Sequence, residues 1–348
     1  MFTAVLVPFL VVSSGLMALL VLLLVTRRLH RDHDVRVSAR RRRRYEAAFD
    51  TGSERELVQV ARSARRRPAA QADLAVVLAR ALDRAPEATR TGFRRAVAES
   101  GLHVRLIRQL GSRSAVRRGR ALLLVARLRL PEALPHLERL LADGDPDVRQ
   151  AAARALALYE SDAAARALIG ALGREAIAPA RIVEQLAHPW AVPALLKASR
   201  AAALRAVRPL LTEALGLARD RRAVPWLSDL LASSEDEERV AACRALARFS
   251  DPELRDLFMR ALDDGFAPVR AQAARALGAV PDPVAAPALQ RGLGDPFWWV
   301  RSNCADALRR TGPDGIAALE RALQSDDRFA RDRAAEALTL QAALDGAG

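Results

Sequence analysis

The sequence predicts an all-α protein, a right-handed α-solenoid of helical hairpins preceded by one transmembrane helix. Three observations predict it. Apolar residues make up 51% of the 348-residue chain and aromatics only 4%, so the apolar content is mostly alanine and leucine, which lose least on entering a helix. A segment motif recurs with a period near 31 from about residue 100 onward. An uncharged stretch at the start of the sequence is long enough to cross a bilayer. A sheet protein of this length would draw on more than 2 Tyr and 4 Trp. The apolar fraction is also too high for a disordered chain.

Residues 1–26 are read as the transmembrane anchor. Phe2 to Val25 is 24 residues without a charge, roughly 36 Å as a helix against a hydrocarbon core of about 30 Å. A cleaved signal peptide would carry a basic n-region, and no basic residue precedes Arg27. Residues 27–52 are read as a basic juxtamembrane linker. Arg27, Arg28, Arg31, Arg40, Arg41, Arg42, Arg43 and Arg44 follow the apolar stretch closely. They are a stop-transfer signal and an expected lipid-facing set, each adding about 1 kcal/mol of attraction to an anionic surface. The positive-inside rule then puts the N-terminus outside and the solenoid in the cytoplasm, on a single-pass inner-membrane protein.

The formal charge of +14 is distributed unevenly. Residues 1–45 hold nine Arg and two Asp, net +7, and residues 46–139 hold 19 basic and 10 acidic residues, net +9. Residues 140–348 are net −2. A nucleic-acid-binding solenoid would carry its basic stripe along its length; a gradient falling from the N-terminus points to an anionic membrane surface. The arginine run also has no interleaved aromatics for base stacking. No nucleic acid is expected as a partner.

Residues 53–99 read as capping helices or degenerate repeats, and residues 100–345 as the solenoid. The segments DGDPDVRQAAARAL (143–156), SSEDEERVAACRAL (233–246), DGFAPVRAQAARAL (264–277), DPFWWVRSNCADAL (295–308) and SDDRFARDRAAEAL (325–338) align without a gap. Their marker arginines are Arg149, Arg239, Arg270, Arg301 and Arg331, and the same register picks out Arg117, Arg181 and Arg208. Seven residues after each marker stands a leucine, except for His188. The preceding segments, such as LPHLERLLAD and GIAALERALQSDD, carry leucines at intervals of three and four, the stripe of a first helix. Each ends in Asp, Gly or Ser, which can terminate that helix and cap the next. Hairpins with one apolar face each must stack to bury it.

The unit P-x-L-x-x-L-L-x-D-x-D-x-x-V-R-x-x-A-A-x-A-L, as in Pro135 to Leu156 and Pro287 to Leu308, resembles the bacterial HEAT-like repeat of phycobilin-lyase type. The resemblance covers about residues 100–340. It implies a structural ladder in which Arg149, Arg239, Arg270, Arg301 and Arg331, with Asp143, Asp264 and Asp295, tie each repeat to the next. Such repeats serve lyases, glycosylases, scaffolds and adaptors alike, so the motif is specific for fold and nearly silent on function.

The sequence offers little chemistry. The five histidines are scattered, and only His30 and His33 approach metal-ligand spacing. Phosphate-loop, nucleophile-elbow and dinucleotide fingerprints do not occur. Cys243 and Cys304 fall among alanines on second helices and read as small buried residues. No catalytic residue, cofactor, metal or small-molecule substrate is expected. One feature resists a purely structural reading. Phe266, Phe297, Trp298, Trp299 and Phe329 fall in three successive turns before second helices. Two consecutive tryptophans at a helix start cannot both face one core, and exposed aromatics mark contact surfaces.

The expected function is a non-catalytic, membrane-tethered scaffold that holds a partner protein at the cytoplasmic face. Bacterial proteins that look like this are often paired with an integral-membrane glycosyltransferase, so the resemblance implies an accessory subunit of such an enzyme. A lyase-like or nucleic-acid-binding solenoid is the alternative. It would need an acid and stacking aromatics in a basic concave groove, whereas the half containing the aromatics is net −2. The topology is directly testable. A periplasmic-type reporter fused to the C-terminus should be inactive and a cytoplasmic one active; the reverse result, or a mature N-terminus beyond residue 15, would overturn a cytoplasmic solenoid held by an uncleaved span.

Overall fold

The computed structural model describes the backbone of residues 2–174 and 176–345, with the side chains of residues 25–28, 31–78, 80–81, 84–86, 88–174 and 176–344. Among the described residues all regular structure is helical. Two compact units divide the chain, residues 1–137 and 138–348.

The first unit contains α1 (Phe2–Thr51), α2 (Glu54–Arg66), α3 (Pro68–Arg84), α4 (Glu87–Ser100), α5 (Leu102–Leu110) and α6 (Ala115–Leu128). The division between units falls within α7 (Leu134–Leu140). Residues 27–51, expected as a linker, are the C-terminal half of α1. Arginine is a good helix former, and Tyr45, Ala48 and Phe49 supply a buried face at i, i+3, i+4 spacing. That face packs on α3, and Phe49 meets Phe93 of α4 edge-on at 4.8 Å. Tyr45 Oη donates to Ser63 Oγ at 2.9 Å, and burial pushes the phenol pKa up.

The arginines expected to face lipid separate into two groups. Arg27, Arg28, Arg31, Arg40, Arg43 and Arg44 are exposed. Arg41 and Arg42 instead turn inward to Asp73 of α3, which is 2% exposed, with N–O distances of 2.6 and 2.9 Å. Ser38 donates to the same carboxylate, and Arg44 donates to Gln59 Oε1. A carboxylate buried to this degree must be paired, and the helical twist sends two members of the run to it. The span expected over Phe2–Val25 falls on side chains outside the described residues, apart from Val25; among the described residues no helix is long and apolar enough to cross a membrane.

The second unit continues with α8 (Pro146–Ala157), α9 (Asp162–Ala171), α10 (Pro179–Leu186), α11 (Val192–Ser199), α12 (Arg208–Ala218), α13 (Val224–Leu230) and α14 (Asp236–Ala247). After these come α15 (Arg255–Ala261), α16 (Ala267–Ala279), α17 (Ala286–Arg291), α18 (Trp298–Arg310), α19 (Pro313–Ala322) and α20 (Arg328–Asp345). Each even-numbered helix from α8 to α20 packs on the next even-numbered one, and the odd-numbered helices from α9 on pair with the second helix of their own hairpin. This is the stacking expected of an α-solenoid. Leu156, Leu215, Leu246, Leu277 and Leu308 are buried in the seam, and Leu338 is half-buried.

Repeat geometry also recurs where residue identity does not. Arg129 and Glu160, then Arg219 and Ser250, leave their second helices in the left-handed conformation with φ between 48° and 52°. Small residues let the even-numbered helices approach closely. A Cβ added to Gly216 of α12 would lie 2.7 Å from the Cα of Ala245 in α14, inside contact distance. Gly216→Val should therefore lower the stability of the repeat array by about 1 to 3 kcal/mol through overpacking. Gly170→Ala, whose added carbon meets nothing within 4 Å, is the control. Chemical denaturation of both variants checks this; an unchanged midpoint for Gly216→Val would contradict the close α12–α14 packing.

Candidate functional site

The ends of the hairpins in the second unit are built from arginine. Arg270 Nη1 donates to the carbonyls of Asp264 and Gly265 at 2.8 and 3.2 Å, closing the turn between the two helices of its own hairpin. Its Nε and Nη2 donate to both oxygens of Asp295, in the next repeat, at 2.6 and 3.0 Å. Arg239 repeats the arrangement, with Nη1 on Ser233 O at 3.0 Å and a bidentate pair to Asp264 at 2.8 and 2.9 Å. Asp264 and Asp295 are therefore held twice, the side chain by one marker arginine and the carbonyl by the next. Their carboxylates also accept the N–H of Phe266 and Phe297 at 2.8 and 2.9 Å. These aspartates precede the N-cap position, which Phe266 and Phe297 occupy. True side-chain capping occurs at α8, where Asp145 accepts from Asp147 and Val148.

Burial would raise the pKa of Asp264, but the bonds from Arg239 and the Phe266 N–H, with the charges of Arg239 and Arg270, outweigh it and leave it lowered. The pKa values of Arg239 and Arg270 are raised, chiefly by their bonds to Asp264 and Asp295.

The remaining rungs vary. Arg149 reaches Asp143 O at 2.7 Å in its own turn and Ala176 O at 2.5 Å in the next repeat, while Asp143 Oδ1 accepts from Asp145 N. Arg301 and Arg331 donate to the carbonyls of Asp295 and Ser325 at 2.7 and 2.6 Å. Arg208 pairs with the buried Glu238 at 2.6 Å. Arg181 is exposed and meets only its helix neighbour Glu184 among the described residues. In the first unit the rung is Arg118, which donates to Ser112 O and Arg113 O, and not Arg117. The register there is one residue later than the sequence alignment placed it.

A second row of ion pairs lies at the turns entering the odd-numbered helices, and sequence reading missed it. Arg222 contacts Asp220 at 2.6 Å, Arg221 contacts Asp251 at 2.9 Å and Glu253 at 2.6 Å, and Arg255 contacts Asp282 at 2.7 Å. Its signal was present, because Asp220, Asp251 and Asp282 recur every 31 residues.

The aromatic side chains rest on the ladder. Trp298 and Trp299 open α18 and are 60% and 37% exposed; Phe297 is 43% and Phe329 60% exposed. Phe297 meets Trp299 at 4.9 Å, and the two indoles meet edge-on at 6.0 Å. The Arg270 guanidinium lies 5.9 Å from the Phe297 ring centre and that of Arg301 lies 4.6 Å from Phe329. Phe266 is half-buried and makes none of these ring contacts. Cys243 and Cys304 are buried and unpaired, and burial pushes both thiols up to about 12, so neither is a thiolate at neutral pH.

A family model described as HEAT repeats matches residues 104–187, 192–267, 227–309 and 254–339. No curated protein matches the chain. Similar solved structures include an engineered protein, 22% identical, covering 85% of this chain and 90% of that one with a TM-score of 0.35. The complex of CpcE and CpcF of phycocyanin lyase from Nostoc is 24% identical, covering 69% and 93% with a TM-score of 0.30. Human deoxyhypusine hydroxylase is 20% identical, covering 69% and 95% with a TM-score of 0.31. None of these three likenesses carries an argument about activity.

The ladder makes two predictions. In a double-mutant cycle, Arg270→Ala and Asp295→Ala should each destabilise the protein, with a coupling of about 2 kcal/mol between them. Additive losses would show that the pair is not coupled. The lowered pKa of Asp264 contributes stability that is complete above the ordinary aspartate value of about 3.9 and is lost as pH falls below it. Urea midpoints should therefore fall in that acid window, and fall less for Asp264→Asn.

Proposed function

The chain belongs to the HEAT-repeat family, and on that premise we propose that it is a non-catalytic scaffold that docks a partner protein on the ridge of Phe297, Trp298, Trp299 and Phe329. The observation that carries this reading is the exposure of both tryptophans, next to two phenylalanines held over arginines. Tryptophan and arginine dominate the energetics of interfaces, and rings already fixed by their neighbours lose less entropy on binding. Phe266, half-buried and without a contact to these rings, is left out of the ridge.

The uncharged Phe2–Val25 stretch and the basic residues after it support a tether at the cytoplasmic face of the inner membrane, with Arg27, Arg28, Arg31, Arg40 and Arg43 toward anionic lipid. The partner is then an integral-membrane protein. The family resemblance favours a glycosyltransferase, with this chain as its accessory subunit.

Trp298→Ala combined with Trp299→Ala should weaken binding to the membrane protein that copurifies with the full chain by about 30-fold, the loss expected of a hot spot of about 2 kcal/mol. Helicity and melting temperature should stay near those of the unaltered chain. Unchanged binding would remove the ridge from the interface, and an unfolded double variant would return the indoles to a structural role.

A further inference from the structure

The first unit contains a cavity of about 600 Å³ between the start of α3, the face of α5 and the first turns of α6. Four arginines line it, Arg105 and Arg108 of α5 with Arg117 and Arg120 of α6. Among the described residues none of these guanidinium groups has a carboxylate partner or a side-chain hydrogen bond, and the wall carries no acidic or aromatic side chain.

The floor adds a second, independent observation. Gln71 of α3 is 3% exposed, lines the cavity, and leaves its amide Nε2 buried without a hydrogen-bond partner. Arg105 Nε, from the same wall, is a buried and unpartnered donor as well. Buried polar groups are nearly always satisfied, so two orphaned donors at one basic cavity fit a ligand rich in acceptors.

We infer that this cavity binds a ligand carrying two linked phosphoryl groups. Two linked phosphoryl groups bring several negative charges and many acceptor oxygens to the four guanidinium groups, whereas a single carboxylate leaves most of the charge unmatched. The planar guanidinium fork matches phosphate oxygens in bidentate fashion. The absence of a stacking ring disfavours a nucleic-acid strand. A free pyrophosphate and the pyrophosphate headgroup of a lipid share this chemistry. The site is independent of the aromatic ridge, which lies in the other unit.

The test is calorimetric titration of the full chain in neutral detergent micelles with inorganic pyrophosphate and, separately, with geranyl pyrophosphate. Saturable binding of either is expected. Comparable affinities identify the free ion as sufficient, and roughly tenfold tighter geranyl pyrophosphate identifies a lipid-borne group. Arg108→Glu with Arg120→Glu, both exposed positions, should weaken binding roughly tenfold or more without lowering the melting temperature. Gln71→Leu should weaken it several-fold, about 3-fold or more, at equal or higher melting temperature. Arg113→Glu, exposed and outside the cavity, should bind as the unaltered chain does. The inference is overturned if neither ligand binds saturably, if the Arg108/Arg120 or Gln71 variant keeps full affinity, or if Arg113→Glu loses as much.

Discussion

A guanidinium carries its donors in one rigid plane pointing in several directions, and the hairpin stack of the second unit depends on using two of those directions at once. One edge of the marker arginine closes the turn between the two helices of its own hairpin, donating to carbonyls such as those of Asp264 and Gly265. The other edge reaches the next repeat. At Arg239 and Arg270 that reach ends on an aspartate whose own carbonyl is already held by the following arginine. Closure of the local turn and repeat-to-repeat registration are thus made by the same side chain. Lysine could not replace it, because a point charge cannot satisfy a carbonyl and a bidentate carboxylate in a fixed relative geometry.

The aromatic ridge inherits its geometry from this network. Asp295 accepts the N–H of Phe297 and Asp327 that of Phe329, so the backbone that presents each ring is fixed two residues after a bonded aspartate. The arginine of the preceding repeat then lies against the ring. A Phe placed two residues after the loop aspartate therefore meets a cation that is already immobilised. Trp299 of α18 leans on the ring so held, and Trp298 meets Trp299 edge-on.

Much of this was legible in the sequence, for identifiable reasons. The period, the seam leucines and the arginine markers follow from helix geometry, which repeats wherever the local pattern does. The consecutive tryptophans could be placed at a helix start on the same grounds. What escaped was partner choice. Arg117 and Arg118 are adjacent and chemically identical, and only the carbonyls of Ser112 and Arg113 decide which one turns inward. The run Arg40–Arg44 looks uniform, yet Asp73, some 30 residues away in sequence, draws Arg41 and Arg42 into the fold. At position 233 a serine stands where the ladder has aspartate, and Arg208 turns to Glu238 instead. Contacts between distant segments are set by packing, which no local spacing encodes.

An arginine-rich composition by itself says little about chemistry, since many guanidinium groups here have an internal carboxylate or carbonyl. The informative quantity is the difference between arginines supplied and acceptors supplied. In residues 140–348 acids slightly outnumber bases, and the ladder and the second row of ion pairs use them throughout. In the first 139 residues bases exceed acids by far, and after Asp73 has taken Arg41 and Arg42 the surplus remains. Part of it lies along the exposed face of α1. Another part converges on the wall formed by α5 and α6, where mutual repulsion among unneutralised charges opposes folding. Among the described residues the four guanidinium groups of this wall pair with no carboxylate, so an anion from outside the chain is the counter-charge the inferred site would take.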